Sequence, residues 1–120
     1  MFKIYLNKET KMKIAIVGSR TVTEIGLDGV IPKECTEIVS GGASGIDTCA
    51  RQFAERNGLQ YTEFPPDYSR YKRGAPHVRN KQIVEYADVV YAFWDGKSAG
   101  TRSVIAYTRK IRKPCTVHIL

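Results

Sequence analysis

Two small-residue turns carry the residues best suited to chemistry in this chain. The first is Gly41-Gly42-Ala43-Ser44-Gly45-Ile46-Asp47, and the second is Ser98-Ala99-Gly100-Thr101. Each joins a short β-type apolar run to a helical pattern. A helix that opens straight after a tight turn leaves backbone N–H groups bare, and its dipole favours negative charge there. Glycines remove Cβ obstruction, so a ligand can approach the backbone. Such turns suit the phosphates of a nucleotide-like ligand. Arg20, in Gly18-Ser19-Arg20, and Arg79, beside Asn80, could neutralise a mono- or diphosphate. Asp47 has two readings, a helix cap or a contact to a ribose hydroxyl. Asn80 is either a loop cap or a binding residue. Trp94 or a loop tyrosine could stack on a base, although such residues more often pack.

The elements that must hold these residues alternate along the whole chain. Lys13 to Val17, Thr36 to Ser40, Leu59 to Phe64, Asp88 to Phe93 and Cys115 to Leu120 read as strands. Near-continuous apolar runs such as Ile14-Ala15-Ile16-Val17 are typical of strands buried on both faces. Thr21 to Ile31 predicts a short helix, weakened by Gly26 and Gly29 and closed by Pro32. Ser44 to Asn57 predicts a strong one, with Ile46, Cys49, Ala50, Phe53 and Ala54 on one stripe. Ser44 is its expected N-cap, with Asp47 at the capping-box position and Gly58 as the stop. Pro76 opens a helix to about Ala87, whose inner stripe is Asn80, Ile83, Val84 and Ala87. The last helix presents Thr101, Val104, Ile105, Thr108 and Ile111 on one side. Strand–helix alternation predicts an α/β fold: a doubly wound parallel five-stranded sheet with helices on both faces. Right-handed crossovers leave few strand orders, and 3-2-1-4-5 is the one expected. All the unusual residues then follow strand ends. They gather at one sheet edge, beside the switch point between the first and fourth strands.

The 120 residues predict one domain, residues 12–120, preceded by an N-terminal extension, residues 1–11. That extension is a cloning remnant, an alternative start ahead of Met12 or an extra edge strand. The net charge of +7 favours anionic partners, or simply a soluble basic surface. Cys35, Cys49 and Cys115 form no C-x-x-C pair, so neither a disulfide framework nor a zinc site is predicted, and a cytoplasmic protein is expected. No apolar run is long enough to span a membrane. Neither G-x-G-x-x-G nor the P-loop pattern occurs, and no Ser-His-Asp or Cys-His spacing is visible. No metal and no cofactor are expected. The basic loop Tyr68-Ser69-Arg70-Tyr71-Lys72-Arg73-Gly74 interleaves aromatic and cationic residues, as single-stranded nucleic-acid sites do.

Ser40-Gly41-Gly42-Ala43-Ser44-Gly45-Ile46-Asp47 resembles the S-G-G-A-x-G-I-D signature of the DNA-processing proteins DprA/Smf. Ser98-Ala99-Gly100-Thr101 resembles part of the P-G-G-x-G-T-x-x-E motif of the LOG phosphoribohydrolases. Ile16-Val17-Gly18-Ser19-Arg20 and Arg79-Asn80 also suit this group, the SLOG superfamily, and most closely its small YspA-like members. The resemblance spans residues 12–120. It implies a Rossmann-like fold and a site for a nucleotide or a nucleotide-derived ligand, such as an ADP-ribose-like or NAD-derived signal. It also implies a homo-oligomer, most often a dimer. The ligand residues implied are Gly18, Ser19, Arg20, Gly41, Gly42, Asp47, Arg79, Asn80, Gly100 and Thr101, with Ala43, Gly45 and Ser98 in the same turns. Two alternatives stand beside a binding module: a LOG-like N-glycosidic hydrolase and a DprA-like single-stranded DNA binder. The LOG motif ends in a glutamate, whereas this chain has Val104. No catalytic residue is assigned.

Overall fold

The computed structural model describes residues 11–19, 25–42 and 45–120. Five strands form one sheet: β1 (Lys13–Gly18), β2 (Glu37–Ser40), β3 (Gln60–Glu63), β4 (Val89–Trp94) and β5 (Cys115–Ile119). Their order is β3-β2-β1-β4-β5, as the alternation predicts, and every neighbouring pair is parallel. β1 sits centrally, with Ile14 paired to Ile38 of β2 on one side and Val89 of β4 on the other. Its continuous apolar run is explained by cover on both faces.

Among the described residues there are four α-helices, α1 (Ile46–Arg56), α2 (Tyr68–Tyr71), α3 (Ala75–Tyr86) and α4 (Ala99–Lys110); α1, α3 and α4 supply cover, while the short α2 buries no residue. On one face Ile46, Cys49, Ala50, Phe53 and Ala54 of α1 pack against Ile14, Ile16, Ile38 and Phe93. On the other, Ile83 and Val84 of α3 and Val104 and Ile105 of α4 meet Ala15, Val17, Val39, Val90 and Ala92. Odd and even residues of β1 therefore serve separate cores, the consequence of the strand's two-residue period. Burying each isoleucine contributes roughly 2–3 kcal/mol.

The helix ends follow local chemistry. α1 ends at Asn57, and Gly58 adopts φ 64 while Leu59 N–H donates to Ala54 O at 2.9 Å. This is a Schellman closure, and glycine takes the left-handed position at no steric cost. α4 closes in the same way, but Arg112 holds the left-handed position, at φ 60, while Lys113 N–H reaches Thr108 O at 2.8 Å. Pro76 lies in the first turn of α3, as expected.

Three expectations change. The N-cap of α1 is Gly45, φ 78, without a side-chain cap, and Asp47 lies in the first turn; Ser44 lies outside the described residues. The helix expected over 21–31 falls partly on residues 20–24, which lie outside the described residues. From Ile25 to Ile31 the chain forms turns instead. Leu27 and Ile31 are buried there, so their four-residue spacing mimics a helical stripe, while Gly29 takes φ 81 and breaks it. Ile111, expected on the buried stripe of α4, is 37% exposed; it is the C-cap, where the chain leaves the helix. The extra edge strand weighed for residues 1–11 falls, but for Lys11, outside the described residues.

Candidate functional site

β1, β2 and β4 end at the same edge of the parallel sheet, and the N-terminal ends of α1 and α4 follow directly from two of them. Parallel pairing thus brings residues distant in sequence to one cleft. Its wider part has a volume of about 400 Å³. Gly18 and Ser19 from the end of β1, Pro76, Arg79 and Asn80 from α3, and Asp95, Ser98 and Gly100 from the β4–α4 turn line it. A narrower pocket of about 50 Å³ shares Gly18, Arg79, Asn80 and Gly100 and adds Gly41, Asp47 and Thr101 above an apolar floor of Val17, Ile83 and Val104. The wider part matches the lower range for small-molecule sites.

Arg79 stands where the two parts meet. Its Nη1 donates to the Gly41 carbonyl at 3.0 Å, and its Nε donates to Asn80 Oδ1 at 2.8 Å. Among the described residues no carboxylate pairs with this half-buried guanidinium. A Cβ on Gly41 would lie 2.5 Å from Arg79 Nη1, so glycine at 41 is the arginine's seat. Gly42, at φ 78, similarly leaves room for Glu63, whose Cδ would lie 2.3 Å from an added Cβ. The first glycine turn thus accommodates the protein's own side chains. Gly100 differs: an added Cβ there would meet nothing within 4 Å, so the first turn of α4 is open to the cleft.

The two helix N-termini also differ in charge. α1 carries Asp47 in its first turn, whereas α4 carries no acidic residue in its own. At α4 the Ser98 hydroxyl accepts from Thr101 N–H at 3.5 Å, a long contact that satisfies this donor weakly. Each N-terminus thus has one carboxylate near it: Asp47 within the first turn of α1, and Asp95 ahead of α4, where it accepts from the Ser98 N–H.

The β4–α4 turn is shaped by Asp95. Its Oδ1 accepts from both Lys97 N–H and Ser98 N–H, each at 2.8 Å. These donors, that of Ser98 first, hold the Asp95 carboxyl below its ordinary pKa. The nearby Ser19 hydroxyl adds slightly to this effect. Yet Ser19 is only 2% exposed, and its Oγ meets hydrogen-bond geometry with no partner among the described residues. Trp94 braces the same turn: Nε1 donates to Ser98 O at 3.0 Å, and the Arg102 guanidinium covers the ring at 5.6 Å. That arrangement answers the packing reading of Trp94.

A second network lies at the same edge, beneath the first turn. The Ser40 hydroxyl meets Tyr61 OH at 2.5 Å, and Tyr61 OH donates to Glu63 Oε1 at 3.1 Å. Burial, with the neighbouring acids, pushes the Tyr61 phenol up to about 12. This network locks Glu63 beside Gly42. Sequence reasoning passed over it because its members look unremarkable within strands.

Of the predicted ligand residues, Gly18, Ser19, Gly41, Asp47, Arg79, Asn80, Ser98, Gly100 and Thr101 line the joined cleft. Gly42 and Gly45 shape the turn beside it without lining it, and Arg20 and Ala43 lie outside the described residues. Asp95 lines the cleft as well. Its position after β4 was the available signal. Val104, which replaces the LOG glutamate, is 3% exposed in the pocket floor. A further cleft of about 320 Å³ opens between the 28–35 segment and the C-terminal end of α1, away from these turns. Among the described residues no group of histidine, cysteine and acidic side chains could hold a metal ion, and no helix is long and apolar enough to cross a membrane.

Comparison with known proteins places these features in context. The family model described as YAcAr, the YspA, cpYpsA-related SLOG family, matches residues 12–71. A solved structure of DNA processing protein A from Helicobacter pylori, described for its single-stranded DNA binding mode, is similar with a TM-score of 0.66 and 25% sequence identity. The similarity covers 93% of this chain and 67% of that chain. No curated protein matches this chain.

Proposed function

The chain belongs to the YspA, cpYpsA-related SLOG family, and on that premise we propose that it is a binding module for a nucleotide or nucleotide-derived ligand. One observation carries this reading. A half-buried guanidinium without a carboxylate partner among the described residues faces the same cleft as a helix whose first turn carries no acidic residue. Leaving a cation desolvated and unpaired is costly, and an incoming phosphate offsets that cost with charge-assisted hydrogen bonds. Arg79 and the first turn of α4 would hold the phosphate, while the remaining cleft takes the nucleoside. The family resemblance implies ADP-ribose-like or NAD-derived ligands alongside simple nucleoside phosphates. Val104 in the apolar floor supports binding without LOG-type hydrolysis, because no carboxylate stands at that position.

A ligand that binds only the native state raises the melting temperature. We therefore expect a thermal shift with at least one of nucleoside mono- and diphosphates, ADP-ribose and NAD. An unmoved transition across the whole panel would remove the reading. Analysis of the same mixtures for released free base checks the hydrolase alternative.

The similarity to DNA processing protein A favours a second reading, single-stranded DNA binding. The Tyr68–Tyr71 helix and the following Lys72 and Arg73 supply aromatic and cationic groups, with Arg70 against the Tyr71 ring at 5.3 Å. This reading predicts affinity that falls steeply with salt, as phosphate contacts release counterions. Oligonucleotide anisotropy that shows no binding at low salt contradicts it.

A further inference from the structure

The segment between β3 and α3 carries strain that no buried residue enforces. Lys72 follows α2 at φ 54 and ψ -128, a conformation that suits glycine and crowds any residue with a Cβ. Strained backbone persists where the surrounding structure over-determines it. Here neither α2 nor the turn Lys72–Gly74 buries a residue. The hold is local. Lys72 N–H donates to Tyr68 O, and Lys72 O accepts from Ala75 N–H. At the base of the segment the Asp67 carboxylate accepts from the Ser69 hydroxyl at 2.6 Å and from the Arg70 N–H at 3.2 Å. With so few contacts, the segment belongs to the low-stability end of the molecule and can rearrange without disturbing either core.

The segment also carries unpaired charge next to the cleft. Lys72 and Arg73 have no ion-pair partner among the described residues. Their turn runs straight into α3, where Pro76 forms part of the cleft wall and Arg79 stands one turn further on. A single phosphate at Arg79 and the first turn of α4 uses neither of these cations. We infer that the 68–74 segment is a strap that closes on a second phosphate of the ligand, Lys72 leaving its strained conformation as Lys72 and Arg73 contact that phosphate. The cleft then prefers nucleoside diphosphates, and ligands built on a diphosphate, over monophosphates. The inference rests on the nucleotide reading above and adds the length of the phosphate chain to it. Charge-assisted hydrogen bonds hold the closed form, and strain released at Lys72 lowers the cost of reaching it.

Two substitutions at Lys72 separate strain from charge. Lys72→Gln and Lys72→Gly both remove the charge, but only Lys72→Gly takes the positive φ without strain and so favours the open form. The experiment is calorimetric titration of wild type, K72Q, K72G and the double variant K72Q/R73Q with the mono- and diphosphates of adenosine, guanosine, cytidine and uridine. Wild type should bind at least one diphosphate roughly tenfold or more tightly than its monophosphate, as a charge-assisted contact provides. K72Q/R73Q should lose that ratio. K72G should bind the same diphosphate roughly fivefold or more weakly than K72Q, because its open form is no longer strained. In wild type that diphosphate should also slow tryptic cleavage after Arg70, Lys72 and Arg73, and its monophosphate should not. Equal binding of mono- and diphosphates by wild type, or an unchanged ratio in folded K72Q/R73Q, overturns the inference and leaves nucleotide binding standing. Equal diphosphate binding by K72G and K72Q overturns the strained strap. No binding of any nucleotide by wild type overturns both readings. Should the double variant fail to fold, tryptic cleavage of wild type decides: an unchanged rate in saturating diphosphate overturns closure.

Discussion

A Cβ on Gly18 would meet the Phe93 carbonyl oxygen at 2.6 Å, a main-chain atom held in the sheet. A Cβ on Gly41 would meet the end of the Arg79 side chain, which can swing away. The two substitutions should therefore separate fold from site. G18A is expected to destabilise the protein by about 3 kcal/mol, as overpacking against a rigid neighbour does. G41A should leave the melting temperature almost unchanged while unseating Arg79 and weakening nucleotide binding. Thermal melts and titrations on both variants check this, and a stable, fully binding G41A contradicts the seat. Ser19 offers a second test at this scale. Its buried hydroxyl has no hydrogen-bond partner among the described residues, so S19A should stabilise the free protein by about 1 kcal/mol. That corresponds to a rise of roughly 4 °C in Tm. A drop in Tm would mean the hydroxyl already has a partner in the free protein. These roles were only half legible in the sequence. Glycine at 41 marks a close approach, but the approaching group is Arg79, 38 positions away, and nothing local names it.

The turns and helix ends obey local rules more openly. Gly58 ending α1 and Pro76 opening α3 were readable because each residue type has one strong conformational preference. The segment from Ile25 to Ile31 was not, because two buried residues at helical spacing look alike in a turn and in a helix. Arg112 holds the position that Gly58 holds in α1, at φ 60, where a Cβ is strained. R112G should therefore raise stability by about 0.5–1 kcal/mol, measured by denaturant unfolding; a lower midpoint with unchanged slope contradicts it. The β4–α4 turn has a pH signature. The folded pKa of Asp95 lies below its unfolded value, held there by the Ser98 and Lys97 N–H groups. Its contribution to stability is therefore present above the unfolded pKa, roughly 4, and lost as pH falls through the folded value. Asp67 acts in the same direction, through the Ser69 hydroxyl and then the Arg70 N–H. Melting temperature should fall on acidification below about pH 4, and less steeply in D95N than in wild type. Identical acid limbs would show that Asp95 does not contribute.

The whole molecule is a parallel sheet whose strand order could be foreseen, because alternating strands and helices with right-handed crossovers permit few arrangements. That topology alone brings both small-residue turns and Arg79 to one edge, which is why most predicted ligand residues meet there. The division of labour between the turns needed the third dimension. Glu63 and Asp47 lie at the first turn, Gly100 opens the second, and Arg79 spans the space between. The central claim is that this arginine, beside the α4 N-terminus, binds the phosphate of a nucleotide. Its most direct test is calorimetric titration of wild type and R79Q with nucleoside phosphates, ADP-ribose and NAD, both proteins confirmed folded by thermal melts. Saturable binding of at least one ligand to wild type is expected, weakened at least tenfold in R79Q, since a charge-assisted pair contributes about 1.5–3 kcal/mol. Binding of equal strength to R79Q, or none to wild type, would contradict it.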